Sequence, residues 1–502
     1  MLSRMKKNLF FAAVPLVLLC YLPSFTSTGR PSPRKDFPGR AILCAVPAPA
    51  AIGAIPFLRD PSAPNAPFVR RNVRSLTPAQ IASIKKGIAA MKGLPVTDPT
   101  SWQYQAAIHG TLLTQNLPSW NSCEHGSNFF FSWHRMYLYF FERILRAKSG
   151  DPRLTLPYWD YQTNPVLAPA YTDPRPSNPL YDPTRNASIN GGGALPAGIM
   201  VSLTNYMNTD IPYYTFNDDI QGPHGSVHVA IGGNMASVPT SALDPCFWLH
   251  HTNIDRLWQK WLGLCGGRAN PTTDAAWMNQ VYTFFDENGK PVTMRGSQIV
   301  NIAGSLHYIY DTPGLPTCPR VPPIWQAWRW SRIELLRMPA QRLALDKPLT
   351  TANFKNSESQ GLRAFLKTRQ NARFAPSKTT PKDQLFVELG DIKISQMPEG
   401  IVELYLDLPA GVRPNPASKY FVGVLDLFSL TSRHAHAMMA NESQIRLNVT
   451  STAEKLGLDP ANLAQSNLSF FVRGNSVDKK EVLPKADISV GKIAFSVDQA
   501  NN

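Results

Sequence analysis

Histidines are unevenly placed along this chain. Seven of the ten fall between His109 and His251, an interval in which an even spread over 502 residues would place about three. Neutral imidazole is the commonest metal ligand among protein side chains. The clustering therefore indicates a metal site built from histidine, and its members form two groups: His109, His125 and His134 in the first, and His224, His228, His250 and His251 in the second.

The second group has the spacing of residues that share one metal ion. His224 and His228 are four residues apart, so on a helix they lie on one face, as two imidazoles that hold one ion do. His250 and His251 are adjacent, about 100° apart on a helix, so only one of them faces the same ion. Two helices therefore supply three ligands, and spacing alone leaves the choice between His250 and His251 open.

The first group requires two different local structures. His125 and His134 are nine residues apart and would point to opposite sides of one continuous helix. We therefore place His125 in the loop before the helix, next to Gly126, and His134 within the helix. His109, which follows an apolar run and precedes Gly110, comes from another helix.

The ligand type limits the choice of metal. Three neutral imidazoles without a carboxylate or thiolate suit copper, zinc, iron or nickel and leave coordination positions open for small molecules. Two such triads predict two metals. A single histidine beside glycine is commonly a cap or loop residue, but seven buried imidazoles without ligands would leave many polar groups unpaired. A dizinc hydrolase fits less well, because it requires bridging carboxylates and neither motif supplies one.

Helices are predicted around these histidines. Thr77-Pro78-Ala79-Gln80 supplies the N-cap, the first-position proline and the N3 glutamine that begin a helix. Residues 128–147 are apolar nearly all round and contain no Gly or Pro, which predicts a buried helix. Residues 242–262 restore a helical pattern, with Asp244-Pro245 as its cap and first residue. Between residues 152 and 223 the chain is rich in Pro, Asn, Asp and Gly and is predicted to be mostly loop.

A change of pattern near residue 340 predicts a second domain. Residues 340–382 are polar and basic with little periodicity, which indicates a linker. Six β-rich runs follow, as is typical of an antiparallel β-sandwich: QLFVELGDIKI, IVELYLDL, YFVGVLDLFSL, QIRLNVTS, LSFFVRG and DISVGKIAFSV. We therefore expect a catalytic domain over residues 73–339, the linker, and a β-rich domain over residues 383–502.

The positive charge of the chain belongs mostly to its N-terminal part. Lys and Arg number 50 against 35 Asp and Glu, a formal charge of +15, and +11 of this lies in residues 1–108. No basic stripe interleaved with aromatic residues follows, so nucleic-acid binding is not indicated.

Residues 1–29 have the layout of a secretory signal peptide. Three basic residues among the first seven precede an apolar run from Leu9 to Leu22, which is too short for a stable membrane span. Residues 30–72 form a basic, Pro-rich leader or linker that loosely resembles a twin-arginine signal. We expect an exported protein, periplasmic or secreted, without stable membrane insertion after processing.

Four longer motifs now carry a family resemblance. HGSNFFFSWHRMYLYFFERIL, LPYWDY, PHGSVHVAIGG and DPCFWLHHTNIDRLW closely resemble the two copper-binding signatures of tyrosinases and catechol oxidases, the type-3 copper polyphenol oxidases. The match covers roughly residues 73–265, and the tail resembles the β-rich C-terminal domain of latent members. The resemblance implies a mainly α catalytic domain, with a helical bundle and long loops around a dinuclear copper site, followed by the C-terminal β-sandwich.

The resemblance also assigns roles to individual residues. It gives His109, His125 and His134 to the first copper and His224, His228 and His251 to the second. It leaves His250 in a supporting position. Cys123 matches a cysteine that forms a thioether with a ligand histidine in fungal-type members. The alternative is that Cys123 is an ordinary free cysteine. Asn253 and Asp255 are either supports for the site or arginine partners on the helix.

The activity implied is the use of O2 to oxidise small phenols. Family members oxidise o-diphenols to o-quinones, and some also hydroxylate monophenols such as tyrosine. Gln221 and Gly225 stand where members often have Glu and Asn, which favours diphenols unless Asp218 or Asp219 substitutes. Val238 matches a residue that shapes the substrate entrance, and its small size predicts a less covered first copper, which argues for monophenols.

A haemocyanin-like O2 carrier is the alternative function. The single unit, the leader and an open Val238 favour an enzyme over a carrier. We also expect the C-terminal domain to cover the copper cavity until proteolysis within residues 340–382 releases it.

Overall fold

The structure is a computed structural model. It describes residues 55–57, 65–209, 211–264, 266–312, 329–339, 342–354, 360–368, 383–431, 444–477, 480–481 and 486–501. Val46–Asn502 form one compact unit, whereas the predicted signal peptide and most of the leader lie outside the described residues. None of the helices within the described ranges has the length and apolar character that a membrane crossing requires.

Helices dominate the first part of the chain and strands the last part. The helices are α1 Pro78–Lys92, α2 Trp102–His109, α3 Phe130–Ser149, α4 Pro169–Thr172, α5 Ala187–Asn190, α6 Ala197–Asn208, α7 Tyr213–Asp219, α8 Gln221–Ile231, α9 Cys246–Leu262, α10 Ala275–Asn279, α11 Gln360–Thr368 and α12 Thr450–Leu456. The strands are β1 Ile55–Pro56, β2 Phe68–Arg70, β3 Val281–Phe285, β4 Pro291–Arg295, β5 Tyr308–Tyr310, β6 Arg329–Arg337, β7 Leu343–Ala344, β8 Leu349–Asn353, β9 Gln384–Gln396, β10 Gly400–Leu406, β11 Phe421–Val424, β12 Ile445–Asn448, β13 Asn467–Gly474, β14 Ser476–Val477, β15 Lys480–Glu481 and β16 Asp487–Asn501.

The predicted helix starts have clear local causes. Thr77 and Gln80 form a complete capping box at the start of α1. Helix α3 is buried over most of its length and ends at Gly150, whose φ of 72° suits glycine. Helix α9 begins at Cys246, one residue later than predicted, with Pro245 as its cap residue. The Asp244 carboxylate accepts a hydrogen bond from the Cys246 amide at 2.7 Å and satisfies the helix end.

The prediction of a mostly looped interval between residues 152 and 223 is wrong for its last third. Helices α6 and α7 lie there, and α8 begins at Gln221. Pro223 stands in the first turn of α8, where its missing N–H has no partner to lose. Buried residues such as Ile199, Leu203 and Phe216 show that packing, rather than local propensity, stabilises these helices.

Two antiparallel sheets form the C-terminal part of the chain. Their strand orders are β11-β10-β13-β8 and β12-β9-β16-β6. All six predicted β-rich runs contain a strand: β9, β10, β11, β12, β13 and β16. This part of the fold class, a helical region followed by β-sheets, is therefore confirmed.

The predicted linker is wrong where the structure describes it. Residues 349–353 form β8, which pairs with β13, and residues 360–368 form α11. Strand β6 precedes residue 340 and pairs with β16 in the second sheet. The pattern of residues 340–382 was too polar to indicate a strand because β8 buries only Ala352 among its five side chains.

Short strands pair residues from the start of the helical region with residues from its end. Strand β2 pairs with β5 in parallel, so that Phe68 lies opposite Tyr308. Strand β1 pairs with β4, which in turn pairs with β3. These pairings join residues at the start of the described chain to residues 292–293 and 308–310.

Candidate metal centre

The seven clustered histidines come from four helices and one loop. His109 is the last residue of α2, His134 lies within α3, His224 and His228 lie on α8, and His250 and His251 lie on α9. His125 lies in the loop before α3, as the nine-residue interval predicts. All are buried except His125, which is partly exposed.

The imidazole rings converge on one small region. In the first group the ring centroids of His109 and His125 are 5.1 Å apart, and those of His125 and His134 are also 5.1 Å apart. In the second group His224 and His228 are 4.7 Å apart. The rings of His134 and His251 stack at 4.5 Å and join the two groups. The site therefore contains two adjacent imidazole clusters rather than scattered core histidines.

Backbone carbonyls fix which nitrogen of several rings faces this region. Nδ1 of His109 lies 3.1 Å from the Val238 carbonyl, and Nδ1 of His134 lies 2.8 Å from the Phe130 carbonyl. Nδ1 of His228 lies 2.9 Å from the Met235 carbonyl. With the proton held on Nδ1 in each case, Nε2 presents a lone pair, which is the arrangement of metal-ligating histidine.

The second cluster fits a metal ion on its own geometry. Nε2 of His251 lies 3.1 Å from Nε2 of His228 and 3.4 Å from Nε2 of His224. The Nε2 lone pair of His228 thus faces another ring nitrogen, and such contacts are favourable when a cation binds between them. Nε2 of His134 in the first cluster is buried without a hydrogen-bond partner. Both observations match the donor set of an all-imidazole copper site.

Burial keeps these rings neutral. It lowers the pKa of His134 to about 3, the opposing hydrogen bond to Phe130 being the smaller effect. Burial, followed by the neighbouring imidazoles, lowers the pKa of His224 and of His251 well below the ordinary value. Neutral imidazole is the form that ligates metals, so the site is prepared for a cation at physiological pH.

Cys123 and His250 also lie at the site. Sγ of Cys123 is 3.3 Å from Nδ1 of His125, and burial raises the pKa of the Cys123 thiol. The His250 ring stacks on His224, with centroids 5.1 Å apart and an angle of 16°. Its ring nitrogens lie close to those of His224, His228 and His251, so all four are near enough to hold one ion.

Asn253 and Asp255 pair with arginines instead of facing the imidazoles. Asn253 Oδ1 accepts a hydrogen bond from Arg256 at 2.9 Å. The Asp255 carboxylate lies 2.5 Å from Arg135 and 3.4 Å from Arg70. Of the two roles predicted for this pair, the structure favours that of arginine partners.

The predicted entrance residues are engaged in other contacts. Gln221 Oε1 accepts a hydrogen bond from the Gly126 amide at 2.7 Å, and its Nε2 donates to the Asn217 carbonyl at 3.1 Å. Gln221 thus holds the His125 loop against α8. Asp219 is buried at the end of α7, whereas the neighbouring Asp218 is exposed.

Val238 is not open to solvent, contrary to the prediction. Its side chain is fully buried, and its amide donates a hydrogen bond to Thr431 Oγ1 at 2.9 Å. The reason is a segment from the C-terminal part, residues 425–431, which lies over the imidazoles. We call residues 425–431 the capping segment.

Phe428 of the capping segment lies at this site, although the sequence pattern did not indicate it. Its ring stacks on His228, with centroids 3.8 Å apart and planes 5° apart. It also lies 5.5 Å from the His125 ring and 5.7 Å from the His224 ring. Nothing in the run YFVGVLDLFSL distinguishes this Phe from a core residue of a strand.

Comparison with known proteins agrees with this geometry. The family model for the common central domain of tyrosinase matches residues 99–218 and 200–264, and that for the polyphenol oxidase middle domain matches residues 272–328. A domain of unknown function matches residues 334–497.

Relatives of known sequence and structure extend the match. The chain is 34% identical over 312 residues to the tyrosinase HcTyr1 of Hahella sp. strain CCB-MM4, covering 50% of this chain and 65% of that protein. It is 31% identical to the chloroplastic polyphenol oxidase II of Ipomoea batatas, covering 57% and 56%. The chain thus spans between about half and two thirds of the length of these relatives. The fold is similar to that of latent aurone synthase (polyphenol oxidase), with a TM-score of 0.62 at 20% identity over 90% of this chain and 95% of that chain.

Proposed function

We propose that the chain is a type-3 copper protein of the tyrosinase and polyphenol oxidase family, whose models it matches, and that it uses O2 to oxidise o-diphenols to o-quinones. The observation that carries this proposal is the convergence of two neutral imidazole clusters in one buried region. In the reaction, each catechol loses two electrons and two protons, and O2 is the electron acceptor.

We assign the copper ligands from the two clusters. His109, His125 and His134 would hold one copper, and His224, His228 and His251 the other. When bound, the copper pair supplies the redox chemistry and the place where O2 is reduced. His250 supports this arrangement by stacking on His224.

The protein's own contribution is orientation and the exclusion of water. Carbonyl oxygens hold the Nδ1 atoms of His109, His134 and His228, so their rings cannot turn away. The centroid of the Phe247 ring lies 4.1 Å from that of His251 and 4.8 Å from that of His109. These aromatic rings favour the binding of a phenol ring over the binding of water.

We propose that o-diphenols are preferred over monophenols. Hydroxylating a monophenol requires a group that takes the phenol proton. Neither Gln221, whose amide is held by Gly126 and Asn217, nor Gly225 supplies one. Oxygen uptake by the copper-loaded protein should therefore be at least about tenfold faster with catechols than with tyrosine or tyramine, a difference of about 1.4 kcal/mol in the barrier. Comparable rates for the two classes would overturn this preference.

A reversible O2 carrier remains the alternative function, and Phe428 is the observation that favours it. A ring stacked on His228 obstructs a phenol-sized molecule more than it obstructs the smaller O2 molecule. The same assay separates the two functions. An oxidase consumes O2 continuously with catechol, whereas a carrier binds it once and releases it under vacuum.

We propose further that the capping segment shields the copper site in the full-length chain. Phe428 occupies the space beside His228 in which a substrate ring would stack. Ser226 donates a hydrogen bond to the Leu425 carbonyl at 3.2 Å and attaches the segment to α8. The shielding can therefore be tested by changing the segment alone.

Two further proposals concern the rest of the chain. We infer that the two C-terminal sheets pack face to face as a sandwich, since Phe354 after β8 and Phe495 of β16 meet with ring centroids 4.6 Å apart. We also infer that residues 1–29 direct export to the periplasm or the exterior and are then removed. Sequencing the N-terminus of the mature protein tests the second inference, and a retained Met1 would contradict it.

A further inference from the structure

We propose that Gly225 and Asp426 form a steric latch that holds the capping segment closed, and that residue 225 lacks a side chain to make room for it. The inference rests on the proposed shielding and names the contact that maintains it. Gly225 directly follows His224, so the latch lies beside a proposed copper ligand.

The first evidence is the space around Gly225. A Cβ placed on Gly225 would overlap Asp426 Oδ1 and would lie 2.9 Å from Asp426 Cγ. It would also lie 3.2 Å from the Cβ of Phe428. Any side chain at residue 225 must therefore displace the carboxylate and push against the residue whose ring covers His228.

The second evidence is the shape of the helix face that receives the segment. Gly222, Gly225 and Ser226 lie on one face of α8 by their spacing. A Cβ on Gly222 would lie 2.8 Å from the Val424 carbonyl oxygen, so this glycine is also needed for close approach. Ser226 completes the face with its hydrogen bond to the Leu425 carbonyl. The face is thus matched to residues 424–428 along its length.

The third evidence is the role of Asp426 within the segment. Its Oδ1 accepts a hydrogen bond from the Ser429 amide at 3.2 Å, which fixes the turn that follows Phe428. Thr431, at the end of this turn, accepts a hydrogen bond from the Val238 amide. One carboxylate therefore both fills the space at Gly225 and shapes the turn that presents Phe428.

Hydrogen–deuterium exchange of the full-length, metal-free protein tests the latch without relying on activity. The Val238 amide is the reporter, because it is bonded to Thr431 across the closure and belongs to neither latch residue. Gly225→Ala should speed its exchange about tenfold, which corresponds to about 1.4 kcal/mol. Gly93→Ala is the matched control, since a Cβ on Gly93 meets only ordinary contacts at 3.5 and 3.7 Å, and it should leave the exchange unchanged.

A double-mutant cycle separates the latch from general damage to α8. Asp426→Ala should speed Val238 exchange about threefold through the lost turn contact, and Gly225→Ala added to it should change the rate less than twofold. The latch would be overturned if the two substitutions multiplied each other's effects on the Val238 exchange rate. It would also be overturned if Gly225→Ala left that rate unchanged. If Gly225→Ala does not fold, Asp426→Ala decides alone, because a rate equal to the unsubstituted protein contradicts the proposal.

Catechol oxidation by the copper-loaded variants distinguishes the two levels of inference. If the latch exists but the protein is not an oxidase, Val238 exchange is faster in Gly225→Ala and no variant takes up O2. If the protein is an oxidase but the latch does not exist, O2 is taken up and Val238 exchanges at the same rate in Gly225→Ala and Gly93→Ala.

Discussion

His125 is held differently from the other proposed ligands. It lies in a loop and is partly exposed, whereas the rings of His109, His134 and His228 are fixed by backbone carbonyls. Sγ of Cys123 lies 3.3 Å from Nδ1 of His125, close enough for the two side chains to be joined. A covalent bond between these two side chains would fix the ring as firmly as a helix does.

We therefore expect a thioether between Cys123 and His125 after exposure to copper and O2. The bond removes two hydrogen atoms, so the intact protein becomes lighter by that mass. After denaturation, Cys123 should no longer react with an alkylating reagent. Cys246, the other free cysteine that the structure describes, is the matched control and should react fully. Alkylation of both cysteines in copper-treated protein would contradict the bond.

The ring of Phe428 provides the second prediction at the residue scale. Replacing it by Ala in the full-length, copper-loaded protein should raise catechol kcat/KM by about tenfold or more, because it opens the space beside His228. Leu430→Ala is the control, since Leu430 belongs to the same segment and is only partly buried. Equal rates for the two variants would mean that the ring does not shield the site.

The sequence indicated the histidines but not this phenylalanine. Imidazoles carry a chemical signal in their type and spacing, so the two groups and the loop position of His125 could be derived directly. Phe428 is one aromatic residue in a β-rich run, and its contact with His228 joins residues far apart in the chain. The burial of Val238 was not predicted for the same reason, because the residues that cover it belong to the distant capping segment.

At the scale of elements, the two helices that carry ligands of opposite clusters are tied together by buried charge. Arg135 follows His134 on α3, and Asp255 lies one turn after His251 on α9. Their side chains meet at 2.5 Å, and the hydroxyls of Tyr308 and Tyr310 donate to the same carboxylate at 2.6 and 2.5 Å. The pair therefore sets how α3 and α9 approach each other.

Breaking this pair should destabilise the protein strongly. Arg135→Met leaves the Asp255 carboxylate buried with only part of its charge balanced, which should lower the free energy of unfolding by about 3–5 kcal/mol. Arg143→Met on the same helix is the control, because its Glu287 partner is 28% exposed, and it should cost about 1 kcal/mol or less. Urea denaturation of the metal-free variants measures both, and equal losses would show that burial of the pair is not decisive.

The pH dependence of this contribution has a definite sign. Burial alone would raise the pKa of Asp255, but Arg135 and Arg70 outweigh it and hold the pKa below its ordinary value. The stabilisation is therefore present at neutral pH and is lost as the pH falls through that lowered pKa. In Arg135→Met the free energy of unfolding should therefore fall less steeply with decreasing pH over this range.

Helices with a strong local signal were predictable, and those stabilised by packing were not. The capping box of α1 and the apolar run of α3 identify both helices before any tertiary contact is considered. Helices α6 to α8 lie in a stretch of Pro, Asn and Gly whose local preference is for loop. They form because buried side chains such as Leu203 and Phe216 pack in the core.

At the scale of the whole molecule, each of the two sheets contains strands from both sides of the domain boundary at residue 383 that the sequence suggests. The change from helical to β-rich pattern was visible, and the six main strands follow it. Strands β6 and β8 lie before residue 383, yet they pair with β16 and β13, which follow it by about a hundred residues. Such pairing depends on topology, which no local pattern reveals.

This topology changes where proteolysis can release the capping segment. A cut within residues 369–382 would leave β6 and β8 on the N-terminal fragment, still paired with β16 and β13 of the C-terminal fragment. A cut within residues 313–328 would leave both sheets whole on the C-terminal fragment. Only the second cut allows the capping segment to depart without breaking a sheet.

We therefore expect two engineered cleavage sites to behave differently. A protease recognition sequence inserted between residues 320 and 321 should, once cut, raise catechol turnover about tenfold and yield separate fragments on size exclusion, because none of the strand pairings in the described ranges crosses that cut. The same sequence between residues 375 and 376 should be cut with little change in turnover and with the fragments still associated. The uncut insertion proteins are the controls for the insertions themselves. Equal activation by both cuts would mean that the sheets do not hold the capping segment, and would restore residues 340–382 as the point of release.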